Sequence, residues 1–307
     1  MAFTMHSHSG QFCPGHAKGQ LEDIILHAIS IGYTTMGLTE HMPRLEIADL
    51  YPEELGDDPA ASLAVLPPRH EAYLVEAQRL REKYASQIRI LIGFEGEWFR
   101  SSYGPYISSL AADPAVDYFI GSIHHVDGIP IDYDAAFFAR ARDNGLPEGS
   151  TGTDEGLYER YYDQQYEMLT TLRPRIVGHF DLIRLLAAAP NTCPRTNSPG
   201  VWSRIERNLA FVHSYGGILE CNTSALRKGL AEPYPARAIS ETWLALGGRF
   251  TMSDDSHGVA QVATNYARAA TYLEGLGVKE VWTFDREGDK LVERAVSLDV
   301  FKGFATE

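Results

Sequence analysis

Residues 2–8 read Ala-Phe-Thr-Met-His-Ser-His, and this stretch introduces a pattern that recurs along the chain. The apolar residues 2–5 predict a short strand that ends in a His-x-His pair. Residues two apart in an extended segment point to the same side, so His6 and His8 can present two imidazoles to one metal ion. His16 follows a loop with two glycines and a proline and is a third candidate ligand. A single His-x-His pair is more often a chance occurrence, so the prediction depends on whether the arrangement repeats.

Strand and helix segments alternate along most of the chain. Leu21, Ile24, Ile25 and Ala28 recur at i, i+3, i+4 and i+7, which is typical of one face of an amphipathic helix. The predicted strands are residues 2–5, 35–39, 88–94, 117–121, 175–178, 217–222 and 248–252. Strands that alternate with helices predict an α/β fold with a parallel sheet or barrel. We expect a single domain over residues 1–307.

Some segments fit this alternation less regularly. Residues 45–69, 127–155 and 187–200 are rich in polar residues, glycine or proline and are predicted to leave the scaffold, the first two as candidates for a substrate lid. A helix is predicted from about Arg69, and a hairpin is predicted at residues 281–284 and 290–296. The last helix is predicted to direct four side chains inward: Val259, Val262, Ala263 and Tyr266.

Metal-ligating side chains follow six of the predicted strands. In chain order they are His6 with His8, His41, Glu95, His124, His179, and Asp255 with His257. The carboxyl ends of the strands of a β/α barrel meet on one face, where the active sites of that fold lie. One strand-end histidine is more often a core or capping residue, but a repeat over six strands is difficult to explain in that way. The sequence therefore predicts a metal site at one mouth of the barrel.

Three doublets leave the choice of ligand open. Glu97 lies on the same face of its strand as Glu95, His125 adjoins His124, and Asp254 adjoins Asp255. Asp255 and His257 are two residues apart and share a face, which favours Asp255 over its neighbour.

The composition restricts the class of protein. A formal net charge of −14 argues against a nucleic-acid-binding surface and against binding to anionic membranes. The 3 cysteines include no C-x-x-C pair, so neither a disulfide framework nor a zinc knuckle is expected. Neither a signal peptide nor a transmembrane stretch is recognisable. We therefore expect a soluble cytoplasmic protein.

The candidate ligands also restrict the metal and the chemistry. Histidines with a few carboxylates suit Zn²⁺, Mn²⁺ or iron. The set is too large for one open tetrahedral site and suffices for two or three divalent ions if Glu95 bridges them. Such ions generate a hydroxide nucleophile and stabilise displacement at phosphorus, and their charge favours a phosphate monoester over a neutral amide. The sequence contains no Gly-x-Ser-x-Gly, P-loop or dinucleotide motif.

The same residues resemble a known family. The ordered motifs His6-Ser7-His8, Thr39-Glu40-His41, Gly93-Phe94-Glu95, Ser122-Ile123-His124, Gly178-His179 and Asp255-Ser256-His257 are similar to those of the PHP (polymerase and histidinol phosphatase) superfamily. Residues 14–17, 39–44 and 222–229 resemble its fungal histidinol-phosphatase branch. The resemblance implies a distorted (β/α)7 barrel of the PHP type with a trinuclear metal site. It also implies hydrolysis of L-histidinol phosphate to L-histidinol and phosphate, a step of histidine biosynthesis.

The resemblance further assigns roles to individual residues. It implies one ion on His6, His8, Glu95 and Asp255, a second on Glu95, His124 and His179, and a third on His16, His41 and His257. It implies that a metal-bridging hydroxide attacks phosphorus, with Glu95, Asp255 and His257 as the catalytic residues.

Side-chain chemistry indicates candidate substrate-binding residues. Arginine suits bidentate recognition of phosphate, which makes Arg227, Arg184 and Arg44 candidates, although each is also compatible with an ordinary salt bridge. The further candidates are Asn222, Ser224 and His125. Asn222 and Ser224 either bind substrate or order their loop.

Other functions are compatible with parts of this pattern. One is a different PHP-type phosphoesterase that acts on nucleotide or phosphotyrosine esters. Another is a metal-dependent amidohydrolase, although such a barrel usually carries a metal-site lysine, and no strand-end lysine is visible. A non-catalytic metal-binding or polymerase-associated module is disfavoured by the acidic charge and by the absence of a polymerase-like extension.

Overall fold

The structure is a computed structural model that describes residues 2–147, 149–288 and 290–304. The strands are β1 Ala2–Thr4, β2 Tyr33–Leu38, β3 Arg89–Glu97, β4 Tyr118–Ser122, β5 His125–Val126, β6 Ile129–Pro130, β7 Ile176–Val177, β8 Ile218–Asn222, β9 Phe250–Ser253, β10 Glu280–Glu287 and β11 Lys290–Ser297. The helices are α1 Leu21–Ser30, α2 Pro59–Ala64, α3 Leu66–Lys83, α4 Tyr103–Ala111, α5 Ala135–Asp143, α6 Asp154–Leu172, α7 Pro194–Asn197, α8 Pro199–Ser214, α9 Ser224–Arg227, α10 Arg237–Ala245 and α11 Tyr266–Glu274.

Seven strands form a parallel sheet in the order β1-β2-β3-β4-β7-β8-β9. The first and last strands then approach each other, because Met5 N donates to Met252 O at 3.1 Å and Ser7 forms a parallel bridge with Ser256. The sheet is thus a nearly closed barrel with helices between its strands. The predicted distorted (β/α)7 barrel is confirmed.

Local sequence explains where the helices begin and end. In α1 the buried side chains are the four predicted from periodicity, and Glu22 and Asp23 lie in the first turn, where a negative charge complements the helix dipole. The helix ends before Gly32, whose φ of +90° is a conformation that glycine adopts without steric cost. The periodic pattern therefore places the apolar face of α1 against the sheet.

Two helices begin at other residues than predicted. The helix expected from Arg69 begins at Leu66, because prolines are compatible with the first turn of a helix and do not end it there. The inward pattern from Val259 belongs to a short 3-10 turn, Val259–Gln261, and α11 begins only at Tyr266, after Asn265 with a φ of +62°. The segments predicted to leave the scaffold contain α2, α5, α7 and strand β6, which pairs with β5 just before residue 127.

The predicted hairpin is present as the antiparallel pair β10–β11. It lies against residues at the amino ends of the barrel strands: Arg286 pairs with Asp117, and Arg89 Nε lies 2.7 Å from Asp285 Oδ1. Phe284 is buried and packs against Tyr118 with ring centroids 5.7 Å apart. The hairpin therefore covers the end of the barrel opposite the predicted metal site.

Among residues 2–147, 149–288 and 290–304, no helix is long and apolar enough to cross a membrane.

Candidate metal centre and active site

Glu95 lies at the centre of the predicted cluster. Its side chain is 1% exposed, and both carboxylate oxygens face histidine nitrogens. The distances are 3.3 Å to His6 Nε2, 3.5 Å to His8 Nε2, 3.1 Å to His41 Nδ1, 3.4 Å to His124 Nε2 and 2.9 Å to His179 Nε2. Five histidines that follow four different strands therefore converge on one carboxylate.

Backbone hydrogen bonds fix the strand ends that carry these side chains. His8 N donates to Ser256 O at 2.8 Å, which joins the end of β1 to the segment after β9. Glu95 N donates to Glu40 O at 3.0 Å, and Met42 N donates to Glu95 O at 3.1 Å. These bonds extend the parallel pairing beyond the regular strands and hold the cluster in register.

Four sets of possible ligand atoms lie close together. They are His6–His8–Glu95, Glu95–His124–His179, His8–His41–His257 and His41–Glu95–Glu97. The first two correspond to two of the predicted sets, and Asp255 Oδ1 lies 3.5 Å from His8 Nε2. In the third set His8 stands where His16 was predicted. The His16 ring nevertheless lies 4.7 Å from that of His257, and its Nδ1 is 3.0 Å from Glu53 Oε1.

The structure distinguishes the members of two doublets. Asp255 faces the histidines, whereas Asp254 accepts from Tyr33 Oη at 3.0 Å and from Ala263 N at 2.8 Å. His124 faces Glu95, whereas the ring of His125 packs against an aromatic ring, that of Phe99, at 4.3 Å.

In the third doublet both glutamates reach the cluster. Glu97 Oε1 lies 2.6 Å from His41 Nδ1, while Oε2 lies 3.1 Å from Arg44 Nη1. Glu97 therefore shares its charge between the cluster and an arginine, whereas Glu95 faces histidines alone.

Glu220 orients several members of the cluster and was not singled out from the sequence. Its Oε1 lies 2.8 Å from His6 Nδ1, and its Oε2 accepts from His179 N at 2.8 Å and Asn222 Nδ2 at 2.9 Å. Contacts of this kind fix the ring orientation of metal-binding histidines. The available signal was a glutamate inside an otherwise apolar strand, on the same face as Asn222.

Electrostatics keep the carboxylates charged, but the imidazoles differ from one another. Burial lowers the pKa values of His6 and His41, yet the neighbouring carboxylates raise both well above the usual value. Burial alone raises the pKa of Glu95, but the neighbouring His124 and His6 lower it well below its usual range. Burial and the adjacent His41 lower the pKa of His8 to about 3. A carboxylate and a neutral imidazole are the protonation states that bind a metal ion.

Several buried nitrogens in the cluster lack a hydrogen-bond partner among the described residues. They include His6 Nε2, His8 Nδ1 and Nε2, both ring nitrogens of His41, and His257 Nε2. An unpartnered buried polar group costs about 1–3 kcal/mol, and a metal ion bound there offsets this cost. The mixture of imidazoles and carboxylates, without thiolate, is the set that Zn²⁺, Mn²⁺ and iron accept. The cluster therefore fits a divalent metal site.

A cavity of about 270 Å³ opens onto this cluster. It is lined by His16, His41, Tyr51, Glu53, Glu95, His124, Asp132, Tyr133, His179, Leu182, Lys228, Asp255 and His257. Lys228, Asp132 and the two tyrosines were not predicted as site residues, although Lys228 directly follows Arg227 in the strand-end loop. Asp132 and the tyrosines come from segments without a recognisable motif, so only the fold reveals them.

None of the three arginines predicted to bind phosphate lines this cavity. Arg184 donates to Asp181 Oδ2 at 2.8 Å and to Pro233 O at 2.8 Å. Arg227 donates to the backbone oxygens of Asp254 at 3.0 Å and Asp255 at 2.9 Å. The guanidinium groups of Arg184 and Arg227 are therefore used to hold loops, and so is that of Arg44, which faces Glu97 and Met42 O.

Asn222 and Ser224 also act within their loop. Asn222 Nδ2 lies 3.3 Å from Asp255 Oδ2, and its Oδ1 accepts from Ser224 N at 2.8 Å. Of the two possibilities left open by the sequence, these contacts favour ordering of the loop. His125 likewise does not line the cavity.

A nearly closed β/α barrel with a histidine–carboxylate centre at its mouth defines a class of metal-dependent hydrolases. The PHP domain matches residues 4–224, and the chain belongs to the PHP domain family. It is 40% identical over 301 residues to the probable histidinol-phosphatase of Schizosaccharomyces pombe. This alignment covers 97% of this chain and 95% of the relative. It is 34% identical over 298 residues to the histidinol-phosphatase of Saccharomyces cerevisiae, and this alignment covers 87% of both chains.

A solved structure supports the fold. Histidinol phosphate phosphatase from Lactococcus lactis, complexed with zinc, L-histidinol and phosphate, superimposes with a TM-score of 0.65. The superposition covers 94% of this chain and 98% of that chain, at 18% sequence identity.

Proposed function

We propose that this protein is a metal-dependent phosphomonoesterase that hydrolyses L-histidinol phosphate to L-histidinol and phosphate, a step of histidine biosynthesis. The convergence of five histidines on Glu95 at the open mouth of the barrel is the observation that carries the proposal. The fungal relatives named histidinol-phosphatase support the choice of substrate. A cytoplasmic location is part of the same proposal.

Two or three divalent ions, zinc, manganese or iron, belong to this proposal. His6, His8, Glu95 and Asp255 would hold one, Glu95 with His124 and His179 a second, and His41, His257 and His16 a third. When bound, such ions lower the pKa of coordinated water and offset negative charge on the phosphoryl oxygens.

The protein's own residues prepare this centre in three ways. Glu220 holds the ring of His6 with its Nε2 toward Glu95. Arg227 and Asn222 hold the segment that carries Asp255, whose carboxylate lies 3.6 Å from His257 Nδ1. We assign Glu95, Asp255 and His257 to catalysis because they line the cavity in which the substrate phosphate would bind. Lys228 supplies the cavity with a cation on a flexible side chain for the phosphate dianion.

The test compares substrates with protein purified without chelator or added metal. Phosphate release from L-histidinol phosphate is measured beside p-nitrophenyl phosphate and a dinucleotide, and the bound metal is quantified on the same sample. We expect the highest kcat/KM for L-histidinol phosphate. Equal or faster turnover of either other substrate contradicts the assignment and favours a different PHP-type phosphoesterase.

A further inference from the structure

Asp132 is an unpartnered carboxylate in the wall of the cavity. Its Oδ1 is buried and accepts no hydrogen bond from the residues that the structure describes. The other carboxylate of the wall outside the cluster, Glu53, also has one buried oxygen without a donor, Oε2, but its Oε1 lies 3.0 Å from His16 Nδ1, so its charge already has a neighbour. A buried carboxylate oxygen without a donor is unfavourable, so Asp132 is suited to a cationic hydrogen-bond donor that arrives with a ligand.

The backbone around Asp132 holds it beside the metal cluster. The preceding residue, Ile131, is buried and donates its N–H to His124 O at 2.9 Å. Two residues further on, Asp134 caps α5 by accepting from Phe137 N at 2.8 Å. Asp132 therefore lies between two fixed points, and its position relative to His124 is set by the fold.

The proposed substrate carries a cation that matches this position. L-Histidinol phosphate has a primary ammonium group on the second carbon from the ester oxygen, close to the phosphate that the cluster would receive. An ammonium group donates three hydrogen bonds. Among protein side chains, an ionised carboxylate is its strongest hydrogen-bond acceptor at neutral pH.

We propose that Asp132 binds the ammonium group of the substrate and thereby selects phosphate monoesters with an amine on the second carbon from the ester oxygen. This inference rests on the function proposed above and adds a specificity-determining residue to it. Aryl and nucleotide phosphate esters lack the ammonium and leave Asp132 unpartnered, which disfavours them.

The experiment compares L-histidinol phosphate with 3-(imidazol-4-yl)propyl phosphate, which keeps the imidazole and the ester but lacks the amine. Wild type is expected to prefer L-histidinol phosphate about 10- to 100-fold in kcat/KM, the range for one hydrogen bond to a charged group. Asp132→Asn should remove most of that preference and leave kcat/KM for the deamino ester within about threefold. Asp134→Asn is the matched control, because it is exposed in the same segment and asparagine is an equally good helix cap.

The outcomes separate this inference from the proposed function. If wild type does not hydrolyse L-histidinol phosphate, the proposed function fails and the inference fails with it. If wild type prefers the amine but Asp132→Asn slows both esters equally, Asp132 has a structural role and only the inference is overturned. If Asp132→Asn retains the full preference for the amine, another residue recognises the ammonium and the inference is likewise wrong.

Discussion

Glu220 shows how a residue outside the proposed ligand set determines the geometry of the centre. One oxygen faces His6, and the other accepts from the backbone of His179 and from Asn222. A single side chain thereby fixes the ends of β1, β7 and β8 relative to one another. Burial opposes its ionisation, but the neighbouring His6 lowers the pKa of Glu220, so the carboxylate stays charged at neutral pH.

Replacement of this carboxylate tests its orienting role. We expect Glu220→Gln to weaken metal binding about 10- to 100-fold, because the amide no longer fixes the ring of His6 as an anion does. Titration of metal-depleted protein against a competing chelator measures the affinity directly. The matched control is Glu280→Gln at an exposed position of β10. An unchanged affinity in Glu220→Gln would show that strand pairing alone orients the histidine.

Lys228 lines the cavity, whereas the three arginines predicted to bind phosphate do not. Because Lys228 is exposed, its contact with phosphate is expected to be weak, and Lys228→Met should lower kcat/KM about fivefold. The loss should shrink as ionic strength rises, since salt screens exposed charges. Steady-state kinetics at low and high salt measure both effects, with Lys279→Met as an exposed control far from the cavity. A salt-independent loss would contradict a role in charge recognition.

Three arginines illustrate what sequence cannot establish at the residue scale. Arg44 pairs with Glu97, which lies more than fifty positions away, and Arg184 donates to carbonyls of residues 232 and 233. An arginine near a strand end has the same local sequence whether it faces a ligand or an internal acid. The ligand-type residues were predictable because they repeat at strand ends, whereas the partner of each arginine depends on the folded chain.

At the scale of secondary structure, alternation predicted the barrel strands, and the irregular segments were the least predictable. Residues 45–69 are predicted to leave the scaffold, yet α2 and the start of α3 lie there. Their prolines, Pro59 and Pro67, occupy the first turns of these helices, where proline is tolerated. The pattern from Val259 has the spacing of a helix, but the left-handed residues Ala263 and Asn265 interrupt it. Conformations with positive φ at residues other than glycine leave no clear signal in a single sequence.

Helix α3 carries a buried histidine whose ionisation opposes folding. His70 is 7% exposed, lies next to Phe94, and has no hydrogen-bond partner for either ring nitrogen among the described residues. Burial lowers its pKa from the usual 6.5 to about 4. Between these two pH values the unfolded chain therefore binds a proton at this residue that the folded chain does not, so the free energy of unfolding decreases as the pH is lowered.

Substitution of His70 should remove this pH dependence. As pH falls from 6.5 towards 4, wild type is expected to lose stability relative to His70→Met, with the difference levelling off near pH 4. Urea unfolding at a series of pH values measures the difference. His213→Met, on the exposed face of α8, corrects for changes common to any loss of a histidine. A difference that stays constant across this range would contradict the inferred burial effect.

At the scale of the whole molecule, the proposed ligands extend from residue 6 to residue 257 and belong to strands all around the barrel. Repetition along the chain predicted this convergence, and the sheet order confirms the fold that it requires. The prediction of a single domain over all 307 residues stays a prediction.

Metal ions that link so many strands should stabilise the fold as a whole. Removal of metal with a chelator is expected to lower Tm, and re-addition of zinc or manganese should raise Tm in a concentration-dependent way. Metal at one hundred times Kd adds about 2.7 kcal/mol to the free energy of unfolding. Thermal unfolding measures the shift. The double variant His8→Ala/His41→Ala serves as control and should respond weakly. An equal response in that variant would place the stabilising metal outside the cluster.

Closure of the barrel has a consequence for how the protein is made. The hydrogen bond from Met5 to Met252 joins β1 to a strand that leaves the ribosome some 250 residues later. Until then one edge of β1 is unpaired, and the residues after β9 that lie beside His6 and His8 have not been translated. For most of its synthesis the nascent chain can therefore pair β1 with a wrong strand or release a bound ion. Pairing of β1 with β9 ends this period.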